Sequence, residues 1–286
     1  MAELNQQFAA STTAACRSHV AELNVRADDV IISTYPKCGT TWMQQIVHGL
    51  RSHGDMTFGE ISEVIPFMEV AYDCGIDLNG PQGYSPRAFK THMSADELPE
   101  GARYIVVLRD PMDACVSFFN FMNGWYMEPG AVSLDTFTKE YFLALSGGDR
   151  YWTHLCSWWK RRHEPNVRIF CFEDIKQDPA ACVRIVAQFI DIELDDQLEQ
   201  LVLEQSSIEF MLRHKHQFDD NLLRRARDAA IGLPPDGESS KVKSGKVGAS
   251  KPLLSEHMAA RFDEIWREEV TPLTGAKCYR DLRSLR

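Results

Sequence analysis

Residues 30–42 read VIISTYPKCGTTW, and this stretch decides the fold class of the chain. Its first five residues form an apolar run rich in β-branched side chains, which is typical of a buried strand. The PKCG turn interrupts that run, and the two threonines after it can cap a helix from Trp42 to about Leu50. A strand, a tight turn and a helix in this order form the start of a β-α-β unit.

Three further short apolar runs, at 88–92, 103–108 and 167–171, predict strands that helical patterns separate from one another. This order predicts an α/β fold, with one domain over residues 1–286 and a central parallel β-sheet flanked by helices. Ligands bind at the carboxyl ends of the strands in such sheets. Helices are expected near 57–73, 112–122, 133–145, 149–162, 179–190, 194–204 and 256–269, after a helical lead-in over residues 1–25.

Composition excludes several classes of protein. The chain has 286 residues, of which 44% are hydrophobic and 25% charged, as in an ordinary globular protein. Its formal net charge of −10 argues against nucleic-acid and membrane-surface partners, because proteins that bind these are usually basic. Neither a secretory pattern nor an apolar stretch of the roughly 20 residues that span a membrane occurs, which predicts a cytoplasmic protein.

Eight cysteines occur without C-x-x-C pairing, so we expect reduced thiols. Zinc-ligand spacing is also absent from the sequence, and no metal site is expected.

Residues 231–252 are rich in Gly, Ser, Pro and Lys and are too polar for a core. We therefore expect a mobile loop or lid region over 213–252. Two basic runs in or near it, 213–216 and 224–227, fit a solvated helix face, an anionic-acceptor site or a cofactor rim. The solvated face is the favoured interpretation of both runs.

The turn after the first strand is the first of three polar clusters. Gly39 permits a tight turn, and the following helix N-terminus offers free N–H groups and the positive end of its dipole. Lys37 adds a charge, while Thr40 and Thr41 add hydroxyls, so this P-loop-like cradle suits a phosphate or a sulfate. The Walker pattern is absent, and an ordinary strand-to-helix turn is the alternative.

Two further polar clusters follow the second and third strands, at the same edge of the predicted sheet. Lys90 and His92 end the second strand, where a neutral imidazole could take a proton from a hydroxyl; a structural histidine is the alternative. Arg109 leaves the third strand, and Ser117 lies about two helical turns beyond it. Both could bind a second phosphate; the alternative is an arginine paired with a neighbouring aspartate.

In this order, the Tyr-Pro-Lys-x-Gly-Thr-Thr-Trp, Lys-Thr-His and Arg-x8-Ser patterns resemble the cytosolic sulfotransferase family. The segments IPFME at 65–69, WTHLCSWW at 152–159 and FEDIKQDP at 172–179 are also similar, and the likeness covers roughly residues 25–270. The first motif is the most characteristic.

The resemblance implies transfer of a sulfuryl group from 3′-phosphoadenosine-5′-phosphosulfate (PAPS) to a hydroxyl or amine of a small molecule, with no metal required. His92 would be the general base, and Lys37, Lys90 and Ser117 would complete the catalytic set. The cofactor contacts it implies are Lys37, Cys38, Gly39, Thr40 and Thr41 at the phosphosulfate, Trp42, Phe172, Ser206 and Ile208 at the adenine, and Arg109, Ser117, Lys243, Ser244 and Gly245 at the 3′-phosphate.

The sequence departs from the family pattern at four places. Cys38 replaces a serine, so a hydroxyl contact to the cofactor is lost or replaced by a weaker thiol donor. Phe172 replaces a tyrosine and Ser244 a lysine, and each of these changes removes one polar contact that the resemblance implies. The family's C-terminal dimer motif is degraded at Glu256 and Ala260, which leaves a monomer and a homodimer both open.

Four aromatic residues, Phe67, Phe118, Phe121 and Trp125, are candidates to line the acceptor pocket, with core packing as the alternative for each. An aromatic pocket suits a flat or hydrophobic alcohol, phenol or amine. Two other functions remain open: a non-catalytic nucleotide-binding protein of the same fold, and a nucleotide kinase with a non-standard phosphate loop. A membrane-bound carbohydrate sulfotransferase is disfavoured, because no N-terminal anchor is expected.

Overall fold

The computed structural model describes most of the chain between residues 13 and 285. The expectations for residues 1–12 and for 229–247, which include Lys243, Ser244 and Gly245, lie outside the described residues. The described residues are 13–123, 125–145, 147, 150–228, 248 and 253–285.

Four parallel strands form one sheet in this part of the chain, in the order β2-β1-β3-β4. Val30 pairs with Ala88 on one side and with Arg103 on the other, and Tyr104 pairs with Val167. The α/β sheet predicted from the sequence is confirmed, with β2 one residue shorter than expected. The strands are β1 Val30–Thr34, β2 Ala88–Thr91, β3 Arg103–Leu108 and β4 Val167–Cys171.

Helices connect the strands, and all the predicted ones except 57–73 are present with bounds close to those expected. No helix among the described residues is long and apolar enough to cross a bilayer. Two helices continue into a π-helical turn, at 138–142 and 266–270. The α-helices of the described residues are α1 Ala14–Ala21, α2 Thr40–Ser52, α3 Ile61–Val64, α4 Pro111–Met122, α5 Leu134–Phe137, α6 Tyr151–Lys160, α7 Phe172–Gln177, α8 Pro179–Phe189, α9 Asp196–Gln205, α10 Ile208–Arg213, α11 Asn221–Arg227, α12 Glu256–Ile265, α13 Thr271–Thr274 and α14 Tyr279–Ser284.

The continuous helix expected over 57–73 is wrong. The chain forms only α3 and a 3-10 turn at 68–70 there, with Pro66 between them. A proline disfavours helical backbone at the preceding residue, and Ile65 accordingly has φ −124° and ψ 86°. The Pro66 carbonyl accepts a hydrogen bond from the Lys90 amide at 2.9 Å, so this segment lies along the edge strand β2.

Side chains of the strands alternate between two cores, one on each face of the sheet. Ile31 and Tyr104 pack on one face with residues of α4, α6 and α12. Val30 and Ile105 pack on the other face with residues of α2, α8 and α9. Because the strands are buried on both faces, the carboxyl edge of the sheet is where their polar neighbours gather.

A buried ion pair connects the starts of β1 and β2. Arg87 donates to both carboxylate oxygens of Asp29, over 2.8 and 2.6 Å. The guanidinium also donates to the carbonyls of Asn24 and Leu78. Both charged side chains are buried, so each depends on the other for compensation of its charge.

We predict that Asp29→Ala destabilises the protein by about 3–5 kcal/mol, because it leaves the Arg87 guanidinium buried without its counter-charge. Urea denaturation measures the change. The matched control is Glu264→Ala, which removes the partner of Arg261 in an exposed ion pair and should leave the free energy of unfolding almost unchanged. Equal effects of the two substitutions would contradict the prediction.

Candidate active site

The turn between β1 and α2 has the geometry of an anion cradle. Gly39 precedes the first residue of α2 with φ +106°, a conformation that side-chain-bearing residues rarely adopt. A Cβ at this position would lie 2.9 Å from Cδ2 of Phe172, so the turn needs glycine for space as well. The first N–H groups of α2 therefore point out of a tight turn, as an anion requires.

The two threonines of the cradle differ in their surroundings. Thr40 is buried, and its hydroxyl shares a short hydrogen bond with the Thr34 hydroxyl. Thr41 is half-buried. A ligand in the cradle thus meets Thr41 as the more accessible hydroxyl.

Cys38 is fully buried and belongs to the core on the sheet face that α4, α6 and α12 cover. Burial raises the pKa of its thiol far above the usual value, although Arg109 opposes the shift. The side chain is therefore a neutral core group, and only the backbone of Cys38 is suited to contact a ligand.

His92 follows β2 and has a fixed ring orientation. Its Nδ1 lies 2.8 Å from the Thr34 carbonyl oxygen, which can only accept, so Nδ1 carries the proton. The lone pair is then on Nε2, as a general base needs. The ring packs edge-to-face on Phe67, with the ring centroids 5.1 Å apart.

Glu69 fixes the end of β2, a role that the sequence analysis missed. Its Oε1 accepts the His92 amide at 2.6 Å and the Thr91 hydroxyl at 2.9 Å. Burial raises the pKa of this carboxyl to about 7, against the opposing effect of these hydrogen bonds and of Lys90. Its place in the IPFME segment was the only sequence signal.

Lys90 lies beside His92 but is 1% exposed. Its ammonium nitrogen is 4.2 Å from the centroid of the Phe67 ring and 3.6 Å from Oδ1 of Asp220. The structure therefore brings Lys90, His92 and Phe67 together at the end of β2.

Arg109 leaves β3 and contacts the cradle directly. Its Nη1 donates to the Lys37 carbonyl over 2.8 Å, and its guanidinium lies 4.5 Å from the centroid of the Phe172 ring. The neighbouring Asp110 instead caps α4 by accepting the amides of residues 112 and 113. These contacts favour a role at the cradle over a simple strand-end ion pair.

Ser117 is half-buried on α4, the helix that begins just after Arg109. Asp113 on the same helix accepts the amide of Gly248 at 2.7 Å. Gly248 is the one described residue of the predicted 231–252 loop before Leu253, and it lies against the helix that carries Ser117.

The residues expected at an adenine are brought together only in part. Trp42 and Phe172 pack edge-to-face, with centroids 5.5 Å apart, and Trp42 also packs near Met211 of α10. The indole N–H of Trp42 is buried with no hydrogen-bond partner among the described residues. Ser206 is buried between α9 and α10, and Ile208, the first residue of α10, is 37% exposed.

The aromatic acceptor candidates separate into two groups. Phe118 is 2% exposed and packs edge-to-face with Tyr35 and Tyr141, so it belongs to the core and not to a pocket. The ring centroid of Phe121 lies 4.2 Å from the Lys37 ammonium nitrogen, and the ring packs edge-to-face on Trp125. Phe121 therefore borders the cradle.

A small cavity opens next to Phe67, between the 62–76 segment and α11. Its walls are mostly apolar. The lining residues are Ser62, Phe67, Val70, Ala71, Cys74, Ile76, Leu222 and Leu223. Phe67 is the residue that the cavity wall shares with the contacts to Lys90 and His92 at the end of β2.

The expectation of a solvated face for the 224–227 run is wrong at Arg224. This residue is buried, and its Nε donates to Asp228 at 3.1 Å. Its guanidinium also lies 5.3 Å from the centroid of the Trp125 ring, while the Trp125 indole N–H donates to Asp228. Arg225 is exposed, as are three of the four residues of the 213–216 run.

Comparison with known proteins agrees with this geometry. Residues 27–274 match the family described as the sulfotransferase domain, and the chain belongs to that family. The protein is therefore a transferase of the sulfotransferase type.

Individual relatives cover nearly the whole chain. Sulfotransferase 1C2 of Homo sapiens is 29% identical over 270 residues, which cover 88% of this chain and 86% of the relative. Mouse sulfotransferase SULT7A1, solved in complex with PAP, superposes with a TM-score of 0.71 at 18% identity, covering 96% and 95% of the two chains. Retinol dehydratase, solved with androsterone and inactive cofactor PAP, gives 0.69 at 18% identity, covering 88% and 83%.

We predict that Gly39→Ala destabilises the fold by about 1–3 kcal/mol, because alanine must adopt the positive φ and approach Phe172. Urea denaturation gives the value. Gly83→Ala is the matched control: no atom lies within 4 Å of the added Cβ, and Gly83 has no positive φ. A loss at Gly83 as large as that at Gly39 would refute the role of the turn.

Proposed function

We propose that the protein transfers a sulfuryl group from PAPS to a hydroxyl or amine of a small-molecule acceptor, with His92 as the general base. The observation that carries this proposal is the hydrogen bond between His92 Nδ1 and the Thr34 carbonyl. It directs the proton to Nδ1 and leaves Nε2 as the basic nitrogen, beside Lys90 and the cradle after β1.

The residues of the site fit the parts of PAPS. The cradle offers backbone N–H groups and Lys37 to the phosphosulfate. Arg109 offers a guanidinium fork to the 3′-phosphate, together with Ser117 and the 243–245 stretch. The buried indole N–H of Trp42, without a partner among the described residues, and the ring of Phe172 suit an adenine. Both solved neighbours contain PAP, which supports this assignment.

The reaction needs little covalent chemistry from the protein. Sulfuryl transfer resembles phosphoryl transfer, in which a loose, in-line transition state carries charge on its oxygens. PAPS supplies the activated sulfuryl group. Lys37 and the N–H groups of α2 stabilise the charge on the departing phosphate, Lys90 stabilises the transferring group, and His92 Nε2 takes the proton of the acceptor.

The acceptor we propose is a flat or hydrophobic alcohol, phenol or amine. The cavity beside Phe67 has mostly apolar walls, to which α11 contributes two leucines, but its volume of about 10 Å³ is that of a single water molecule, so it supplies one apolar side of the proposed acceptor site and does not enclose the acceptor. Phe121 and Trp125 add aromatic surface next to Lys37. A polar acceptor would find few hydrogen-bond partners along these walls.

Membership of the sulfotransferase family disfavours the nucleotide kinase. A non-catalytic nucleotide-binding protein would bind 3′,5′-ADP, the product of PAPS, and transfer nothing. A cytoplasmic location, the choice between monomer and homodimer, and the lack of nucleic-acid, membrane and metal partners stay predictions.

We predict that 3′,5′-ADP at about 100 times its Kd stabilises the protein by about 2.7 kcal/mol and raises its Tm, while ATP at the same concentration does not. Thermal unfolding with each nucleotide measures the effect. Arg109→Ala should retain the fold and lose most of the shift, because it removes the fork for the 3′-phosphate.

The opposite results are equally informative. A preference for ATP would contradict the assignment of PAPS, and an unchanged affinity of Arg109→Ala would refute the role of that residue.

We predict that His92→Ala lowers kcat by at least about 100-fold, the usual contribution of a general base, and keeps the Tm shift with 3′,5′-ADP. A sulfate-transfer assay with PAPS and a panel of phenols and apolar alcohols measures the rate. His163→Ala, at an exposed histidine, is the control and should keep the wild-type rate. Full turnover by His92→Ala would exclude His92 as the base.

A further inference from the structure

The buried position of Lys90 conflicts with the charge that its role requires. An ammonium group removed from water tends to lose its proton, and buried lysines can become neutral near physiological pH. Lys90 is 1% exposed, and one side of its ammonium faces the ring of Phe67. A cation–π contact alone offsets only a small part of the cost of burying a charge.

Asp220 supplies an opposite charge. Its Oδ1 lies 3.6 Å from the Lys90 ammonium, and the residue is itself 3% exposed. At this distance and in a buried environment, the attraction between the two charges is screened far less than at the surface. The pair therefore favours the charged form of Lys90.

Two other titratable groups lie near Lys90, and each is less suited than Asp220 to compensate its positive charge. Glu69 interacts with Lys90, but burial raises the pKa of its carboxyl to about 7, so it carries a full charge only above neutral pH. His92, at the end of the same strand, is neutral when it acts as a base. Among the described residues, Asp220 is thus the best-suited counter-charge across the neutral range.

The backbone holds Asp220 in place. It directly precedes α11 and has φ +62°, a left-handed conformation that aspartate and asparagine tolerate better than most residues. One turn further, Arg224 pairs with Asp228, and both contact Trp125, which fastens α11 to the segment after α4. The carboxylate is thereby presented to Lys90 by a fixed helix start.

We propose that Asp220 is a positioning residue for the transfer reaction, which keeps Lys90 charged and in place beside His92. This inference rests on the proposed function, in which Lys90 stabilises the transferring sulfuryl group. The residue acts through Lys90 and needs no contact of its own with either substrate.

The test is Asp220→Asn, because asparagine has the same shape, tolerates the same backbone conformation and lacks only the charge. Without its counter-charge, Lys90 loses its proton at lower pH. We therefore expect the alkaline limb of the pH profile of kcat to shift to lower pH by at least one unit. The acid limb, which His92 sets, should stay where it is. At a pH on the alkaline limb, this shift corresponds to about a tenfold loss of kcat. Asp220→Glu, which restores the charge, should bring the limb back towards the wild-type position.

A second readout does not depend on turnover. NMR of protein labelled with [ε-13C]lysine follows the titration of each ammonium, and the Lys90 signal is identified by its loss in Lys90→Met. We expect the Lys90 titration to move to lower pH in Asp220→Asn. This arm tests the inference even if the wild-type protein transfers no sulfate, an outcome that would overturn only the proposed function.

Asp191→Asn is the control, since it removes one negative charge from an exposed carboxylate that pairs with Arg103 and leaves both Asp220 and the attachment of α11 intact. We expect its alkaline limb and its Lys90 titration to stay at the wild-type positions. Three results would overturn the proposal: an unchanged profile and titration in Asp220→Asn, an equal shift in Asp191→Asn, or a higher kcat of Asp220→Asn throughout. The last result would mean that Asp220 withholds Lys90 from the reaction.

Discussion

The end of β1 and the turn after it form the constraint on which the rest of the site depends, because each of the other three strands sends one group to them. The ring of His92, after β2, is oriented by the Thr34 carbonyl. Arg109, after β3, binds the Lys37 carbonyl. Phe172, after β4, packs so closely on Gly39 that an added Cβ would lie 2.9 Å from its ring. The parallel register of the sheet brings these strand ends together, so the positions of the turn, of His92 and of Arg109 are fixed relative to one another.

Two buried ion pairs among the described residues lie in and next to this site. The chain is acidic as a whole, yet positive groups gather at the carboxyl edge of the sheet, where an anionic ligand meets the local potential and not the net charge. Lys90 faces Asp220, and Arg224 faces Asp228, both in buried surroundings. Buried pairs of this kind add little net stability but fix the positions of their members, and a transfer site depends on such positions.

The sequence was sufficient where local pattern decides structure. β-branched runs identified the strands, and polar residues directly after them identified the cradle, His92 and Arg109. The helix expected at 57–73 failed because Pro66 turns the chain along β2. The solvated position expected for Arg224 is wrong because its partners, Asp228 and Trp125, are brought to it by tertiary packing. The role of Asp220 depends in the same way on a lysine far away in sequence, which no local pattern can reveal.

Under the proposed function, helix α11 and the residue before it contribute both to the binding of the acceptor and to the charge of Lys90. The leucines of α11 form part of the wall of the apolar cavity, and the residue just before the helix places a carboxylate beside Lys90. A redesign that exchanges this helix to admit a bulkier acceptor would also displace that carboxylate. Under the proposed function, the range of acceptors and the speed of transfer are therefore linked by seven residues of backbone, Asn221–Arg227, and are difficult to alter independently, in the laboratory or by natural variation.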